Sequence, residues 1–257
     1  MTKFGSLAKL ADTNRRVLNL YDSYIMGTRN LHDEARVLAH ILTKNAPADG
    51  APGRDRTGTW SASAAGHCLR EQQFTYLGFP VAPVDADRQN IFDNGDFLHL
   101  RYQVAGMIGG WLRDVEVPLT YGSNVRGTMD GDLVWNEVLE LKSINDRGYK
   151  SVMEFGPKED HKCQATAYML CTGYTTARFV YENKNDNHNC EFVFELEEGY
   201  QAKVLRDWAY LDELTEQRTL SPMLHECLQG KGMFRWCSYA QLCEHARYPR
   251  TKIKLVS

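Results

Sequence analysis

The sequence lacks long hydrophobic runs, a strong excess of one charge and an export signal. No stretch of the 257 residues approaches the ~20 consecutive apolar residues that a membrane-spanning helix needs. The opening MTKFGSLAKLADTNRR has no apolar run typical of a secretory signal, so we expect a cytoplasmic protein. With 30 basic and 33 acidic residues the formal net charge is −3, so any contact with a polyanion has to rely on local groups.

The seven cysteines include no C-x-x-C pair. An odd number of cysteines without an export signal favours thiols or metal ligands over a disulfide framework. The apolar fraction of 43% and the charged fraction of 25% are too balanced for a disordered or fibrous chain. At this length we expect one large domain, or one domain with a small appendage, around a real hydrophobic core.

Hydrophobic periodicity predicts a mixed α/β order. Residues 7–44 have helical spacing and predict two helices joined near Gly27, and the Pro- and Gly-rich stretch that follows predicts a linker. This extension with its linker covers residues 1–58. Later helices are predicted over about 61–77, with Cys68 in the first half, and over 91–108, 159–172 and 198–219. Strands are predicted over 115–119, 125–135, 137–142, 175–183 and 190–196.

The stretch VRGTMDGDLVWNEVLELKS predicts a hairpin with an acidic face. A turn at residues 135–137 would pair Asp132 with Glu140 and Asp130 with Lys142, and strand alternation would place these four side chains on one face. The apolar side chains then point to the other face: Leu133, Leu139 and Leu141. Carboxylates and a lysine on one patch repel or compete unless a divalent cation or a reacting phosphate lies among them, and oxygen ligands suit Mg²⁺ or Mn²⁺. The residues alone also fit an exposed strand face with mixed charges.

A polar face is also predicted on the helix over 159–172. His161, Gln164 and Tyr168 lie at i, i+3 and i+7, which is one helical face. Taken singly, they equally fit a surface histidine, a solvent-facing glutamine and a core tyrosine.

Four motifs together resemble a known family. A helix histidine in GDFLHLRYQ, then GTMD at 127–130, ELK at 140–142, and Gln164 with Tyr168 resemble, in order and spacing, the RecB-like branch of the PD-(D/E)XK nuclease superfamily. The resemblance covers about residues 61–243. It implies a restriction-endonuclease-like core, in which helices flank a mixed central sheet, within a nuclease domain over 59–257. It also implies metal-dependent hydrolysis of DNA.

The resemblance assigns a role to each motif residue. It gives the metal, Mg²⁺ or Mn²⁺, four ligands: His99, Asp130, Glu140 and the main-chain carbonyl of Leu141. Lys142 would orient the attacking water or stabilise charge on the phosphorane, and Gln164 and Tyr168 would touch the DNA backbone or support Lys142. Asp132 stays open as an alternative first carboxylate, but Asp130 matches the family's G-x-x-D spacing.

One early and three late cysteines resemble the iron–sulfur subgroup of these nucleases, which includes the fourth Cas protein, the AddB nuclease domain and many phage exonucleases. The resemblance implies a [4Fe–4S] cluster on Cys68, Cys227, Cys237 and Cys243. The spacing departs from the family, because the second ligand usually stands at the position of Phe234, so Cys227 would have to reach through a loop containing Gly230 and Gly232. A zinc site, a metal-free clasp or ordinary thiols stay open. We expect ordinary thiols at Cys163, Cys171 and Cys190.

The expected partner is DNA, as single strands or duplex ends, and no membrane is expected. A recombination or replication protein stays open as a second partner. The candidate phosphate contacts are cationic: Arg70, Arg101, Arg126, Arg147, Lys150, Lys158, Lys162 and the tail RYPRTKIKL. The candidate stacking side chains, more of which we expect in the core, are aromatic: Trp111, Tyr149, Phe155 and Trp236.

The sequence therefore predicts a metal-dependent DNA exonuclease of recombination, repair or phage DNA processing, in a bacterial or phage-infected cytoplasm. Two alternatives stay open. One is a non-cleaving DNA-binding adaptor of the same fold, and the other is a ring-type alkaline exonuclease without a cluster.

Overall fold

A central sheet with helices on both faces organises the chain. The computed structural model describes residues 15–45, 56–228 and 237–245. Its six strands are β1 (Trp60–Ser61), β2 (Leu112–Tyr121), β3 (Val125–Leu133), β4 (Glu137–Ile144), β5 (Thr176–Asn183) and β6 (Asn189–Glu195). Its helices are α1 (Arg16–Met26), α2 (Leu31–Asn45), α3 (Leu69–Tyr76), α4 (Ala86–Ile108), α5 (Asp146–Phe155), α6 (Glu159–Thr172), α7 (Glu198–Glu216), α8 (His225–Leu228) and α9 (Ala240–His245), with a 3-10 turn over Ala62–Ala64.

The sheet is mixed. Its order is β1-β3-β4-β5-β6, and β2 pairs with β3 off this path. The pairs β1–β3 and β4–β5 are parallel, whereas β2–β3, β3–β4 and β5–β6 are antiparallel. The parallel pair β4–β5 needs a crossover, which α5 and α6 supply. The expected restriction-endonuclease-like core of a mixed central sheet flanked by helices is therefore confirmed.

Each face of the sheet buries its own hydrophobic cluster. One cluster includes Tyr168 of α6 and Trp208 of α7, and the other includes Leu98 and Tyr102 of α4. The amino-terminal helices belong to the second cluster, through Val17, Leu18, Tyr21 and Ile41. The predicted helical extension thus packs on the core.

A buried carboxylate anchors α1 to the sheet. Glu191 of β6 is fully buried, and its two oxygens accept hydrogen bonds from the main-chain N–H groups of Val17 and Leu18, at 3.2 and 3.0 Å. These N–H groups have no partner within their own helix, and the helix dipole favours an anion there. Arg178 also donates to Glu191, at 2.9 Å.

The predicted hairpin register is wrong by two residues. The structure pairs Leu133 with Glu137, Asp132 with Val138 and Gly131 with Leu139. The turn is one residue earlier than expected because Asn136 adopts a left-handed conformation, with φ of +64°, which closes the turn before Glu137. A shift by an even number keeps each side chain on its face, and Leu133, Leu139 and Leu141 do share one hydrophobic cluster, as predicted.

Other boundaries follow local capping. The helix predicted from residue 91 begins at Ala86, because the Asp85 side chain accepts from the N–H of Arg88. Cys68 is the residue before α3 and not inside a helix, which corrects the prediction. Helix α5, capped by Asn145, was not predicted, whereas α6 has the predicted bounds. Among the described residues no helix combines the length and the apolar character needed to cross a membrane.

Candidate active site

One open cavity of about 540 Å³ contains the motif residues. It lies where α4, β2, β3, β4 and α6 meet. Every residue that the sequence placed in the catalytic or metal site lines it: His99, Asp130, Glu140, Leu141, Lys142, Gln164 and Tyr168. Two helices, α4 and α6, and two strands, β3 and β4, thus bring the predicted set together.

The strand pairing around Asp130 places it beside His99 and Leu141. Asp130 is the residue before Gly131, which pairs with Leu139 of β4. Its Oδ2 accepts a hydrogen bond from the main-chain N–H of Leu141 at 2.7 Å. On α4, His99 places Nδ1 3.5 Å from Asp130 Oδ1 and Nε2 3.2 Å from the carbonyl oxygen of Leu141. An imidazole, a carboxylate and a main-chain carbonyl therefore converge.

Glu140 is a buried carboxylate with an unsatisfied oxygen. It is 1% exposed, and its Oε1 lies 2.6 Å from Nζ of Lys142. Its Oε2 has no hydrogen-bond partner among the described residues. Burial, and next the charge of Asp130, raise the pKa of Glu140 to about 7. The ionised carboxylate is therefore costly as it stands, and a nearby cation would stabilise it.

A hydrogen-bonded chain holds Lys142. Its Nζ donates to Oε1 of Gln164 at 2.9 Å, and Nε2 of Gln164 donates to the hydroxyl of the buried Tyr168 at 2.8 Å. Burial disfavours the ammonium, but the charges of Glu140 and Asp130 outweigh it and raise the pKa of Lys142. Lys142 thus remains charged, and Tyr168 and Gln164 fix its position.

His161 shares the α6 face but points elsewhere. Its Nδ1 lies 2.9 Å from the hydroxyl of Tyr181. Burial, and next the charge of Lys142, lower the pKa of His161 to about 3. His161 therefore packs as a neutral side chain behind the site.

Position 127 of the G-x-x-D motif requires glycine for a steric reason. A Cβ on Gly127 would lie 2.8 Å from the Cβ of Ala62, closer than real Cβ atoms approach. Glycine lets β3 run directly against the 3-10 turn. The G-x-x-D motif thereby places Thr128 and Asp130 on the cavity wall.

Asp132 has different partners. Arg113 donates to its Oδ2 at 2.8 Å, and the hydroxyl of Tyr174 donates to its Oδ1 at 3.1 Å. Asp132 does not line the cavity. Of the two candidates for the first carboxylate, the geometry therefore favours Asp130.

The sequence reasoning missed a third carboxylate. Glu116 of β2 lines the cavity, and ligand atoms of His99, Glu116 and Asp130 all lie within 4.8 Å of one another. The short turn after Tyr121 was the sequence signal that could have revealed Glu116. This turn pairs Tyr121 with Val125, and the same register sets Glu116 opposite Asp130. Arg56 and Lys184 also line the cavity without having been predicted.

Several candidate DNA contacts lie elsewhere. Arg70 is 2% exposed and donates to the carbonyl of Ser221, so its prediction as a phosphate contact is wrong. Arg101 pairs with Glu182 at 2.5 Å. Trp111 is buried in the core, whereas Phe155 is exposed. The basic tail and Trp236 lie outside the described residues.

Four cysteines gather near α3. Cys68 directly precedes α3, and Cys227 lies in α8. Cys237 lies shortly before α9, and Cys243 lies within α9. Cys237 and Cys243 each lie close enough to Cys68 for electrostatic interaction, and Cys243 also interacts with Cys227. Burial raises the pKa of Cys68, of Cys243 and, to about 11, of Cys237. All described cysteines are thiols.

The chain is similar in fold, but not in sequence, to proteins of known structure. No protein-family model matches the chain, and no curated protein is similar to it in sequence. The crystal structure of SSO0001 aligns with a TM-score of 0.50 and 16% identity, covering 87% of this chain and 99% of that one. The alkaline exonuclease LHK-Exo of Laribacter hongkongensis, in complex with dAMP, aligns with a TM-score of 0.46 and 18% identity over 63% and 94%. A phage-related exonuclease from Haemophilus somnus aligns with a TM-score of 0.41 and 11% identity over 72% and 93%.

Proposed function

We propose that the protein is a metal-dependent DNA exonuclease that hydrolyses phosphodiester bonds in recombination, repair or phage DNA processing. The observation that carries the proposal is the meeting of an imidazole, buried carboxylates and a tethered lysine in one open cavity. This is the combination that hydrolysis of an anionic ester needs: ligands for a cation and a fixed positive group.

The ligands fit Mg²⁺ or Mn²⁺. His99 Nε2 and the Leu141 carbonyl oxygen lie 3.2 Å apart, and adjacent ligands of an octahedral ion with 2.1 Å bonds lie about 3 Å apart. With Asp130 and Glu140, they would supply one nitrogen and three oxygens, a set suited to these ions. A bound ion would activate water and offset negative charge on the phosphodiester.

Lys142 supplies the fixed positive group. The Gln164 and Tyr168 chain holds its ammonium beside Glu140. From there Lys142 would orient the attacking water or stabilise the charge that develops on the phosphorane. Gln164 and Tyr168 act through Lys142 and are positioning residues. Water attacks the phosphorus directly, the P–O bond to the leaving oxygen breaks, and no covalent enzyme intermediate forms.

Cleavage of labelled DNA tests the proposal. Single- and double-stranded DNA labelled at either end would be digested with Mn²⁺ by wild type, Lys142→Met and the control Lys203→Met, whose lysine pairs with Asp207 on α7. We expect progressive loss from one end, about 10³-fold slower in Lys142→Met and unchanged in the control. No cleavage by folded wild type with several metals would refute the enzyme and favour the DNA-binding adaptor.

We also propose that Cys68, Cys227, Cys237 and Cys243 hold a [4Fe–4S] cluster. The proposal is supported by the proximity of Cys237 and Cys243 to Cys68 and of Cys227 to Cys243. Four cysteines are the number that such a cluster needs, one for each iron.

Iron and sulfide content of anaerobically purified protein tests the cluster. We expect both in wild type and a loss in Cys68→Ser, with Cys171→Ser as control because Cys171 lies on α6 away from the group. Protein with zinc, or with neither iron nor sulfide, would refute the cluster and leave the nuclease proposal standing.

A further inference from the structure

A third carboxylate enters the proposed metal site from β2. The pairs Val115–Gly131 and Val117–Met129 set Glu116 directly opposite Asp130 on the neighbouring strand. Ligand atoms of His99, Glu116 and Asp130 lie within 4.8 Å of one another, and among the described residues no other such group of three exists. Glu116 belongs to none of the motifs that define the resemblance.

The backbone of Glu116 is irregular. Its φ of +48° lies in the left-handed region, which a residue with a Cβ rarely adopts inside a strand. Such a conformation persists only where the surroundings fix it. One residue that contacts its side chain is Gln103 of α4.

Gln103 orients Glu116 without neutralising it. Gln103 is 1% exposed, and its Nε2 donates to Glu116 Oε1 at 2.8 Å and to the carbonyl oxygen of Asp130 at 3.0 Å. A neutral amide fixes direction but leaves the negative charge in place. Gln103 thus ties Glu116 to the strand that carries Asp130.

The charges around Glu116 independently point to a cation. Glu140, in the same cavity, is 1% exposed and its Oε2 has no partner among the described residues. Glu116, Asp130 and Glu140 therefore bring three carboxylates to one cavity, which the cationic side chains of Arg56, Lys142 and Lys184 also line. Buried carboxylates repel one another unless a cation lies among them.

We propose that Glu116 is a ligand of the divalent cation together with His99 and Asp130, and that Gln103 is the residue that positions it. The inference rests on the proposed function for the presence of the cation. It extends the ligand set implied by the motifs with a carboxylate from a different strand. Glu116 would contribute one oxygen ligand from β2.

Titration with Mn²⁺ tests the inference without any cleavage assay. Free Mn²⁺ would be followed by its electron paramagnetic resonance signal in wild type, Glu116→Gln and Asp114→Asn. The control removes an equal charge from the same strand, where Asp114 pairs with Lys44 at 2.6 Å outside the cavity. We expect Mn²⁺ affinity to fall at least about tenfold in Glu116→Gln and less than about twofold in the control.

Thermal unfolding shows whether the Glu116→Gln variant is folded. In EDTA, Glu116→Gln should unfold at or above the wild-type temperature, because a repelling charge is gone, and it should gain less stability from added Mn²⁺. In Gln103→Met we expect an intermediate loss of Mn²⁺ affinity. Equal Mn²⁺ affinity in wild type and Glu116→Gln would overturn the inference whether or not wild type cleaves DNA. Mn²⁺ binding without cleavage would overturn only the proposed function.

Discussion

Replacing Glu140 with glutamine should remove a loss of stability that wild type shows as the pH rises in the absence of metal. The pKa of Glu140 is raised from its ordinary 4.5 to about 7 by burial and by Asp130. Between these two values the unfolded chain has released the proton and the folded chain has not. Stability therefore falls as pH rises through this window, and the loss is complete above about pH 7.

The size of this effect follows from the displacement of the pKa. A shift from 4.5 to about 7 corresponds to about 3 kcal/mol at pH 8 and about 1 kcal/mol at pH 5. Glutamine stays neutral at every pH and has nearly the shape of the protonated acid. The unfolding free energy of Glu140→Gln minus that of wild type should therefore be about 2 kcal/mol higher at pH 8 than at pH 5. This difference adds to a pH-independent cost, because the variant leaves Lys142 without the carboxylate that lies 2.6 Å from its Nζ.

Urea denaturation in EDTA at the two pH values measures the difference. The control Glu154→Gln changes an exposed carboxylate on α5 and should stay within about 0.5 kcal/mol of wild type at both values. Saturating Mn²⁺ should remove the deficit of wild type at pH 8, because a cation offsets the charge of Glu140. A stability difference between Glu140→Gln and wild type that is the same at pH 5 and pH 8 would refute the reasoning from the raised pKa of Glu140.

Three further predictions concern other parts of the site and the fold. Asp130→Ala should abolish cleavage, measured as kcat/KM on end-labelled DNA, whereas Asp132→Ala should only weaken it, because Arg113 and Tyr174 hold Asp132 outside the cavity; the reverse ranking would overturn the assignment. Glu191→Gln should lower the unfolding free energy in urea by about 3 kcal/mol, because it leaves buried groups without their anion; a loss below about 1 kcal/mol would contradict the anchoring role. The imidazole of His161, whose pKa is lowered to about 3, should show no titration between pH 5 and pH 8 by proton NMR, and a midpoint in that range would refute its burial as a neutral group.

Most of the order of elements, and several residues that line the cavity, could be predicted from the sequence, because both depend on local patterns. Alternation fixed the faces of β3 and β4, and helical spacing placed Gln164 and Tyr168 on one side of α6. The motif spacing then chose Asp130, which the cavity favours over Asp132.

The features that could not be predicted depend on single backbone conformations or on distant partners. The hairpin register depends on the left-handed conformation of Asn136. Glu116 lies in a stretch whose sequence alternates like any other strand, and only its pairing partner and its contact with Gln103 place it at the site. The buried state of Arg70 depends on a carbonyl about 150 positions away in the chain, at Ser221.

The contact between Gly127 and Ala62 makes one position intolerant of change although it carries no chemical group. Any side chain at 127 would meet Ala62 Cβ at 2.8 Å and push β3 outward three residues before Asp130. In a survey of all single substitutions, we therefore expect as few functional variants at position 127 as at the proposed metal ligands. Conversely, Ala62→Gly would open room on the other side, so the two positions should covary among descendants of this sequence.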